Sequence, residues 1–582
     1  MPNSLALSLE GALAPSVSLT CLQRKSGTPD GWGIGFYPGG EPSASVLKEP
    51  APPPGSIRSE LIKAWDHLAS SLFVLHIRSA TWGGASDANT QPFCRSWGGR
   101  DWILAHSGSL ERRLHTRAGA VFEPVGATDT EAVFCELLER FREQGYRSLR
   151  EADPRVLRGW LSELNRGGSL TILLSDGSDL VGYADTTGKG QLWACEIRPP
   201  YRAAVMSDGD VRIDLLARGD SPRKAVVLAS SPLALSAEVE ARWERVAPGT
   251  LVQVRHGSFV AVELDPMAEL RAAPRVAVVP KPLDDPGSIP PATYRVRHLT
   301  RYRYSAPVER SRHWIRLHPV EDAFQRVESH TLNISVAGHA HEFEDVFGNR
   351  VTHLELNAPF TELEVEAVSE VRIPRAAPYT HRPLRSRSTI PVQWMPWQYD
   401  VLQPFLLPPE LPESELEELV TYARTFAERN DGDLLGTLVD ITQSIHRDYH
   451  YRQGVTTVHT SPFEVYEGRV GVCQDFTNLF VTLARFIGLP ARYVCGYLHL
   501  GADAENRVMA AESHAWAEVY LPDVGWRGFD PTNGCLIGNQ HIRLATGRNY
   551  RDAAPMSGVI YLGGGAESLG ASVEVTRVDE PG

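Results

Sequence analysis

Cysteine is scarce in this chain: seven residues in 582, at positions 21, 94, 135, 195, 473, 495 and 535. The number is odd, the spacing is scattered and no two form a C-x-x-C pair. That excludes a disulfide framework and a cysteine-based zinc site, and it points to a reducing cytoplasm. Basic excess is lacking too. The formal net charge is -13 and no basic run offsets it, which argues against a nucleic-acid partner. No stretch reaches the ~18 apolar residues that a membrane helix needs. The opening MPNSLALSLEGALAPSVSLT has no positively charged start, and Glu10 and Pro15 interrupt its apolar run, so it does not read as a secretory signal. Internal repeats are absent. The glycine-rich runs at 31–36 (GWGIGF) and 563–565 have no following helix, so neither is a phosphate loop, and no cofactor motif is found. A soluble, cytoplasmic protein with no membrane contact, no metal and no cofactor is expected.

What is present is length. A chain of 582 residues is too long for one core and implies about three or four domains. Its 42% hydrophobic and 22% charged residues are ordinary for a globular protein. The clearest seam is PRVAVVPKPLDDPGSIPP at 274–291, where six prolines in eighteen residues can neither continue a helix nor donate to a sheet. From Thr293 the texture alternates with period two, as in TYRVRHLTRYRYSAPV and VTHLELNAPFTELEVEAVSEVRI, which predicts antiparallel strands. A second Pro-, Arg- and Ser-rich stretch covers 374–412. Helices are then predicted at 413–428, 433–446 and 473–487. The last of these carries Phe476, Phe480, Leu483 and Ile487 on one face and is stopped by Gly488 and Pro490. Before the linker, Thr128 should cap a helix, with Glu131 closing the capping box.

The chemistry concentrates in GRVGVCQDFTNLFVT at 468–482. A cysteine in the first turn of an amphipathic helix lies beside unpaired N–H groups and the positive end of the helix dipole, which favour thiolate. Gly468 and Gly471 leave room for a substrate backbone. Two strand-like runs follow, SHAWAEVYLP presenting His514 and WRGFDPTN ending on Asp530. An imidazole there can take the thiol proton while the carboxylate fixes its tautomer. Taken singly, a buried Cys, a core His and an Asp before Pro531 are unremarkable features of packing and turns. The order and the elements together make Cys473, His514 and Asp530 a candidate triad.

These residues, in GVCQDFTNLFVTLARFIGLPARYVCGYLH, SHAWAEVYLPDVGWRGFDPTN and RDAAPMSGVIYLGG, resemble the transglutaminase-like superfamily in its bacterial cytoplasmic branch. The resemblance implies a papain-like core over 386–582. It also implies a preceding β-sandwich over 293–385, carried by YRVRHLTRYRYSAPVERSRHWIRLHP and FEDVFGNRV. The backbone N–H of Cys473 is one candidate oxyanion donor. An upstream aromatic, Tyr451 in DYHYRQG, is the position where relatives add another. Trp516 and Trp526 flank the His and Asp, as cleft walls or as core. Cys495 and Cys535 are expected to pack.

A second resemblance covers 1–273, to class II glutamine amidotransferases. It rests on DGWGIGFY (30–37), FVLHIRSAT (73–81), NTQPF (89–93), WILAHSGSL (102–110), TDTEAVF (128–134), and SSPL and WERVAPGTLVQV within 230–254. It implies an N-terminal-nucleophile αββα domain, so that the whole is an α+β multidomain chain with a Pro-rich linker at 274–292. The family's nucleophile is a Cys exposed behind the initiator Met, and here that position is Pro2. The family's oxyanion Asn is replaced by Ser107 in His106-Ser107-Gly108. Ligand-anchoring positions keep their types: Arg78 for a glutamine α-carboxylate, Asp129 for its ammonium, and Thr81 and Gly108 lining the site. Internal salt bridges or caps are the competing use of Arg78 and Asp129.

The expected activity is therefore a thiol-dependent amide hydrolase or acyl transferase acting on a peptide or protein amide. The amidotransferase-like domain would be catalytically dead, kept for scaffolding or for a glutamine or γ-glutamyl ligand. The alternatives are a two-domain binding scaffold without chemistry, and an active glutaminase if the true N-terminus differs, for example by exposing Cys21.

Overall fold

The computed structural model describes residues 3–19, 29–40, 42–53, 56–64, 69–79, 83–111, 114, 119–264, 291–374, 389–499, 513–522 and 524–578. The chain forms two compact units, Met1–Lys281 and Pro282–Gly582. Among the described residues no helix is long and apolar enough to cross a membrane. The structure is a mixed α/β one built mostly of strands.

In the first unit a seven-stranded sheet contains β1 (Ser4–Leu13) flanked by β2 (Ser70–Arg78), and a six-stranded sheet contains β3 (Arg100–Leu110). The facing sides of the two sheets share a core that includes Ala6, Val74, Ile103 and Leu173. Such strands are apolar on both faces, because each sheet is covered twice. Helices α1 (Asp129–Gln144) and α2 (Pro154–Asn165) cover the far side of the six-stranded sheet. The far side of the seven-stranded sheet is covered mainly by a small four-stranded sheet, through Val17, Met206, Val211 and Ile213. Ile62 of the short helix Ile57–Ala64 joins the same core, so helix is sparse where a full outer helical layer was expected. Thr128 caps α1 by accepting from the Glu131 N–H at 3.3 Å. The Glu131 carboxylate does not close the box onto Thr128; it takes the N–H groups of Val125 and Gly126 and pairs with Arg95. The GWGIGF run is a buried strand, Gly31–Phe36, as its lack of a following helix implied.

The linker expected at 274–292 and the proline-rich stretch at 374–412 lie largely or partly outside the described residues. In the second unit the 24-residue strand β4 (Ala292–Ile315) is the spine of a seven-stranded network. Its first half pairs with Phe360–Ile373 on one edge and Glu567–Arg577 on the other. Its second half pairs with Arg350–Leu356 and Met556–Gly563. The last two strands of the chain thus return to the sheet expected from 293–385 alone.

Helices α3 (Glu413–Arg429), α4 (Leu434–Asp448) and α5 (Cys473–Phe486) pack together, and α5 lies on the five-stranded core sheet. Phe476, Leu479, Phe480 and Leu483 form the buried face of α5. Burying each contributes roughly 1.5–3 kcal/mol. Gly488, at φ 81°, ends the helix in the left-handed conformation. That anchorage holds the first turn of α5, with its cysteine, against the sheet.

Candidate active site

Two short strands, β5 (His450–Tyr451) and β6 (Val470–Gly471), form a parallel ladder immediately before α5, with Tyr451 opposite Gly471. The ladder is closed by His450 N–H donating to the Arg469 carbonyl at 2.8 Å and by Arg452 N–H donating to the Gly471 carbonyl at 2.9 Å. Arg469, itself at φ 50°, is 1% exposed and sits among the rings of Tyr422, Tyr449 and Tyr466 at 4.7–5.0 Å. It donates to the hydroxyls of Tyr422 and Tyr449 at 3.1 and 3.0 Å. A buried guanidinium is tolerated only with such partners, and these tie the approach to Cys473 to the helices behind it. Tyr451 itself lies edge-on to Phe476 at 6.3 Å, half-buried beside the first turn of α5.

Cys473 opens α5 and is nearly buried. The turn in front of it is pinned by Asp475, whose Oδ2 accepts the Val472 N–H at 2.8 Å and the Thr456 hydroxyl at 2.6 Å. Burial raises the Asp475 carboxyl above its ordinary range, against the pull of those two donors. A Cβ on Gly471 would stand 2.8 Å from the Asp475 Cβ, so glycine is what allows this approach.

The core sheet supplies the partners. Its strands β7 (Ala491–Leu498), β8 (His514–Leu521), β9 (Gly525–Asp530) and β10 (His541–Gly547) run in the order β9-β8-β7-β10, with the short strand Cys535–Leu536 beyond β9. His514 begins β8 and Asp530 ends β9, which puts both at one end of the sheet. The His514 Nε2 and Asp530 Oδ2 are 2.8 Å apart, with both side chains at most 2% exposed. Nδ1, buried and without a hydrogen-bond partner in the structure, is left as the ring nitrogen available to the Cys473 thiol. Burial lowers the His514 pKa, but the Asp530 charge and hydrogen bond, and then Cys473, outweigh it and raise it to about 10. Asp530 is driven the other way: burial raises it, yet His514 and His541 hold it well below the carboxylate range. A neutral His514 with Nε2–H on Asp530 presents a bare Nδ1 to the thiol, and the imidazolium can return a proton from the same atom.

The other expectations fall as follows. Trp516 is fully buried, with its ring 6.0 Å from His514. Trp526 instead stacks under Arg492 at 4.3 Å, away from the histidine. Cys495 is buried near Cys473, and its thiol is pushed up to about 12 by burial and then by the Cys473 charge, so it is no rival nucleophile. Three contributors were not singled out in the sequence: Asn533, whose Nδ2 donates to Asp530 at 2.7 Å; His541, at 3.2 Å from the same oxygen; and Arg469. Only Asn533 had a signal, its place in the DPTN run after Asp530. Among the described residues, His514, Asp530 and His541 are the set whose ligand atoms come within 4.8 Å of one another. Those atoms are already spent on one another as hydrogen-bond donors and acceptor, the pattern of a proton-holding network.

In the first unit, Pro2 and Thr81 lie outside the described residues. The start of the chain is held by Ser230, whose hydroxyl accepts the N–H groups of Asn3 and Ser4 at 2.8 and 3.1 Å. The Ser107 hydroxyl is engaged with that of Ser4 at 2.5 Å. The Arg78 guanidinium donates to Asp30 at 2.8 Å and to the Gly83 carbonyl at 2.9 Å. Asp129 accepts the Leu110 N–H at 2.8 Å and the Thr130 N–H at 2.9 Å. Gly108, at φ 148°, lies so close to the Ser169 carbonyl and the His106 ring that no side chain fits. Arg78 and Asp129 thus have separate partners within the fold and do not pair with each other.

Family comparison finds three matches along the chain. Residues 1–276 match the class II glutamine amidotransferases, 294–372 the bacterial transglutaminase-like N-terminal region, and 421–531 the transglutaminase-like superfamily. An uncharacterised protein of Mycobacterium leprae is 33% identical over 290 residues, 49% of this chain and 98% of its own. YafJ of Escherichia coli, a candidate glutamine amidotransferase, is 33% identical over 233 residues, 39% of this chain and 87% of its own. Among solved structures, a candidate cysteine protease from Cytophaga hutchinsonii aligns with a TM-score of 0.40 and 22% identity, covering 50% of this chain and 92% of that one. A predicted glutamine amidotransferase from Pseudomonas aeruginosa aligns with a TM-score of 0.35 and 27% identity, covering 44% and 99%. The chain belongs to the class II glutamine amidotransferase family through its N-terminal domain and, through the remainder, to the bacterial transglutaminase-like proteins, as a fusion of the two.

Proposed function

We propose that the second unit is a thiol-dependent amide hydrolase or acyl transferase working through Cys473, His514 and Asp530. The observation that carries this reading is the buried His514–Asp530 hydrogen bond, at 2.8 Å, behind a cysteine at a helix start. His514 takes the thiol proton at Nδ1, and the Cys473 thiolate attacks a peptide or protein amide carbonyl. The oxyanion is stabilised by the Cys473 N–H and the Tyr451 hydroxyl. As the C–N bond breaks, His514 returns its proton to the departing amine, leaving a thioester. Water or an acceptor amine, deprotonated by His514, attacks that thioester, and the proton passes back to the thiol as the acid or new amide leaves. The pKa of His514, raised by Asp530, suits it to hold the proton between these steps.

The first unit serves as a scaffold with no glutaminase activity. Its nucleophile position is Pro2, and the hydroxyl at its oxyanion position is already bonded to Ser4. The described cysteines are all free thiols, which fits work in a reducing compartment.

Incubating the full chain with a peptide library and identifying the group attached to Cys473 by mass spectrometry tests the reading. A mass increase on that residue, discharged by water or by an added amine and absent in Cys473→Ala, is expected. A thiol that acquires no acyl group from any peptide and reacts with iodoacetamide like a free cysteine would favour a binding scaffold without chemistry.

A further inference from the structure

Asp530 receives more donors than a carboxylate needs to orient one imidazole. Its Oδ1 accepts the backbone N–H groups of Thr532 and Asn533, each at 3.0 Å. Its Oδ2 accepts Asn533 Nδ2 at 2.7 Å, His514 Nε2 at 2.8 Å and His541 Nε2 at 3.2 Å. The tautomer of His541 follows from its other nitrogen. The Gly538 N–H can only donate, and it points to His541 Nδ1 at 3.4 Å. Nδ1 is therefore the bare nitrogen, and Nε2 carries the hydrogen given to Asp530. His541 is a neutral donor on the oxygen that also serves His514.

Two consequences of removing that donor compete. Asp530 could rotate and release His514, or it could stay and bind His514 more strongly. Without His541 the carboxylate keeps two backbone N–H groups on one oxygen and two side chains on the other, so its orientation stays over-determined. What changes is the negative charge left on Oδ2. In a buried site, an oxygen with fewer donors holds the remaining cation more firmly.

We infer that His541 is a positioning residue acting through Asp530: by sharing Oδ2 with His514, it limits how tightly the imidazolium is held and keeps its proton transferable. An acid held too tightly protonates a leaving amine poorly. Among the described residues, the charged and titratable groups facing His514 are Cys473 from α5, Asp530 from β9 and His541 from β10, and Cys495 of β7 lies within reach of the Cys473 charge. The indole of Trp516 packs against both imidazoles, at 6.0 Å from His514 and 5.2 Å from His541. The inference rests on the Cys473 reading.

The test needs no substrate. Iodoacetate, an anion, alkylates a thiolate beside an imidazolium faster than neutral iodoacetamide does, and it loses that preference as the imidazolium deprotonates. The rate ratio is measured against pH on the full chain as wild type, His541→Phe and His541→Gln. Unfolding midpoints select variants that fold, with His541→Leu replacing the phenylalanine variant if its ring is not accommodated. The loss of preference is expected to move up by about half a pH unit or more, a threefold change in proton affinity, in the variant lacking a donor. His541→Gln, which keeps an N–H for Asp530, should follow the wild type. A donor-less variant that overlays the wild type, or moves downward, overturns the inference, as does a glutamine variant that behaves like the donor-less one. Failure of the underlying reading looks different: the wild type itself would show no iodoacetate preference at any pH.

Discussion

Tyr451 faces Gly471 across the two-residue ladder, two positions before Cys473 in the chain. That register brings a tyrosine from a separate segment to the start of α5, where a carbonyl under attack by the thiol would develop negative charge. Replacing Tyr451 by Phe keeps the edge-on contact with Phe476 and removes only the hydroxyl. If the hydroxyl donates to the oxyanion, kcat should fall about 10²–10³-fold with KM little changed. Steady-state rates on an acyl donor found by the trapping experiment would measure this. A fully active Tyr451→Phe enzyme would reduce Tyr451 to a packing role.

Asp530→Asn has two effects, and the donor count separates them. An amide in place of the carboxylate points an NH2 group at N–H donors, whichever way it is turned. Leaving buried donors unpaired costs about 1–3 kcal/mol of stability. If the NH2 faces His514, Nε2 becomes an acceptor and the ring proton moves to Nδ1, where it blocks proton transfer from the thiol. Turnover should then drop by up to about 10⁴, the scale seen when a triad carboxylate is neutralised. Denaturant unfolding and the pH profile of Cys473 alkylation would report the two effects independently. Unchanged alkylation together with unchanged turnover would remove Asp530 from the mechanism.

The parts of this site that were legible in the sequence are those with short-range signatures. Cys473 announces itself by the glycines before it and the amphipathic face behind it, and His514 and Asp530 by the strand-like runs they begin and end. Asp475 lay within the same helix, but its use in pinning Val472 depends on the fold of the preceding turn. His541 and Arg469 could not be read. His541 acts on a residue 11 positions away on another strand, and Arg469 on tyrosines 20 and 47 positions away. No local pattern encodes such meetings. The final strand, Glu567–Arg577, shows the same limit at the level of fold: nothing in its composition tells that it pairs with Tyr294–Tyr304.

Acid should destabilise the second unit through its buried histidines from about pH 6.5 downward. Burial lowers His298, His313 and His330 from the ordinary 6.5 to about 4. Folded, they stay neutral; unfolded, they take up protons below pH 6.5. Their stabilisation is therefore complete above 6.5, declines as pH falls to about 4, and is exhausted below that. His514 has the opposite sign. Its raised pKa gives stability that is whole below 6.5 and lost as pH climbs toward about 10. Thermal unfolding of the full chain should show its later or earlier transition, whichever belongs to this unit, most stable near pH 6.5. His298→Gln, which can still reach Tyr497 or Thr300, should flatten the acid side. A midpoint that is level from pH 6.5 to 4 would contradict the assignment of these histidines as neutral.

The amidotransferase-like unit should neither release ammonia from glutamine nor bind it appreciably. A glutamine zwitterion would need the Arg78 guanidinium for its carboxylate and the Asp129 carboxylate for its ammonium. Arg78 is already paired with Asp30 at 2.8 Å and with the Gly83 carbonyl, while Asp129 holds the N–H groups of Leu110 and Thr130. Binding would have to exchange these contacts for equivalent ones to the ligand, with little net gain to offset the lost freedom of the glutamine. Arg78→Ala should accordingly act on stability: it strands the partly buried Asp30 carboxylate and Gly83 carbonyl, costing about 1 kcal/mol. Calorimetry on full-length Cys473→Ala, with glutamine, glutamate and γ-glutamyl peptides at millimolar concentration, should give no heat of binding. Saturable heat with one of these ligands, abolished by Arg78→Ala in a protein that still unfolds cooperatively, would instead make the unit a ligand-binding domain.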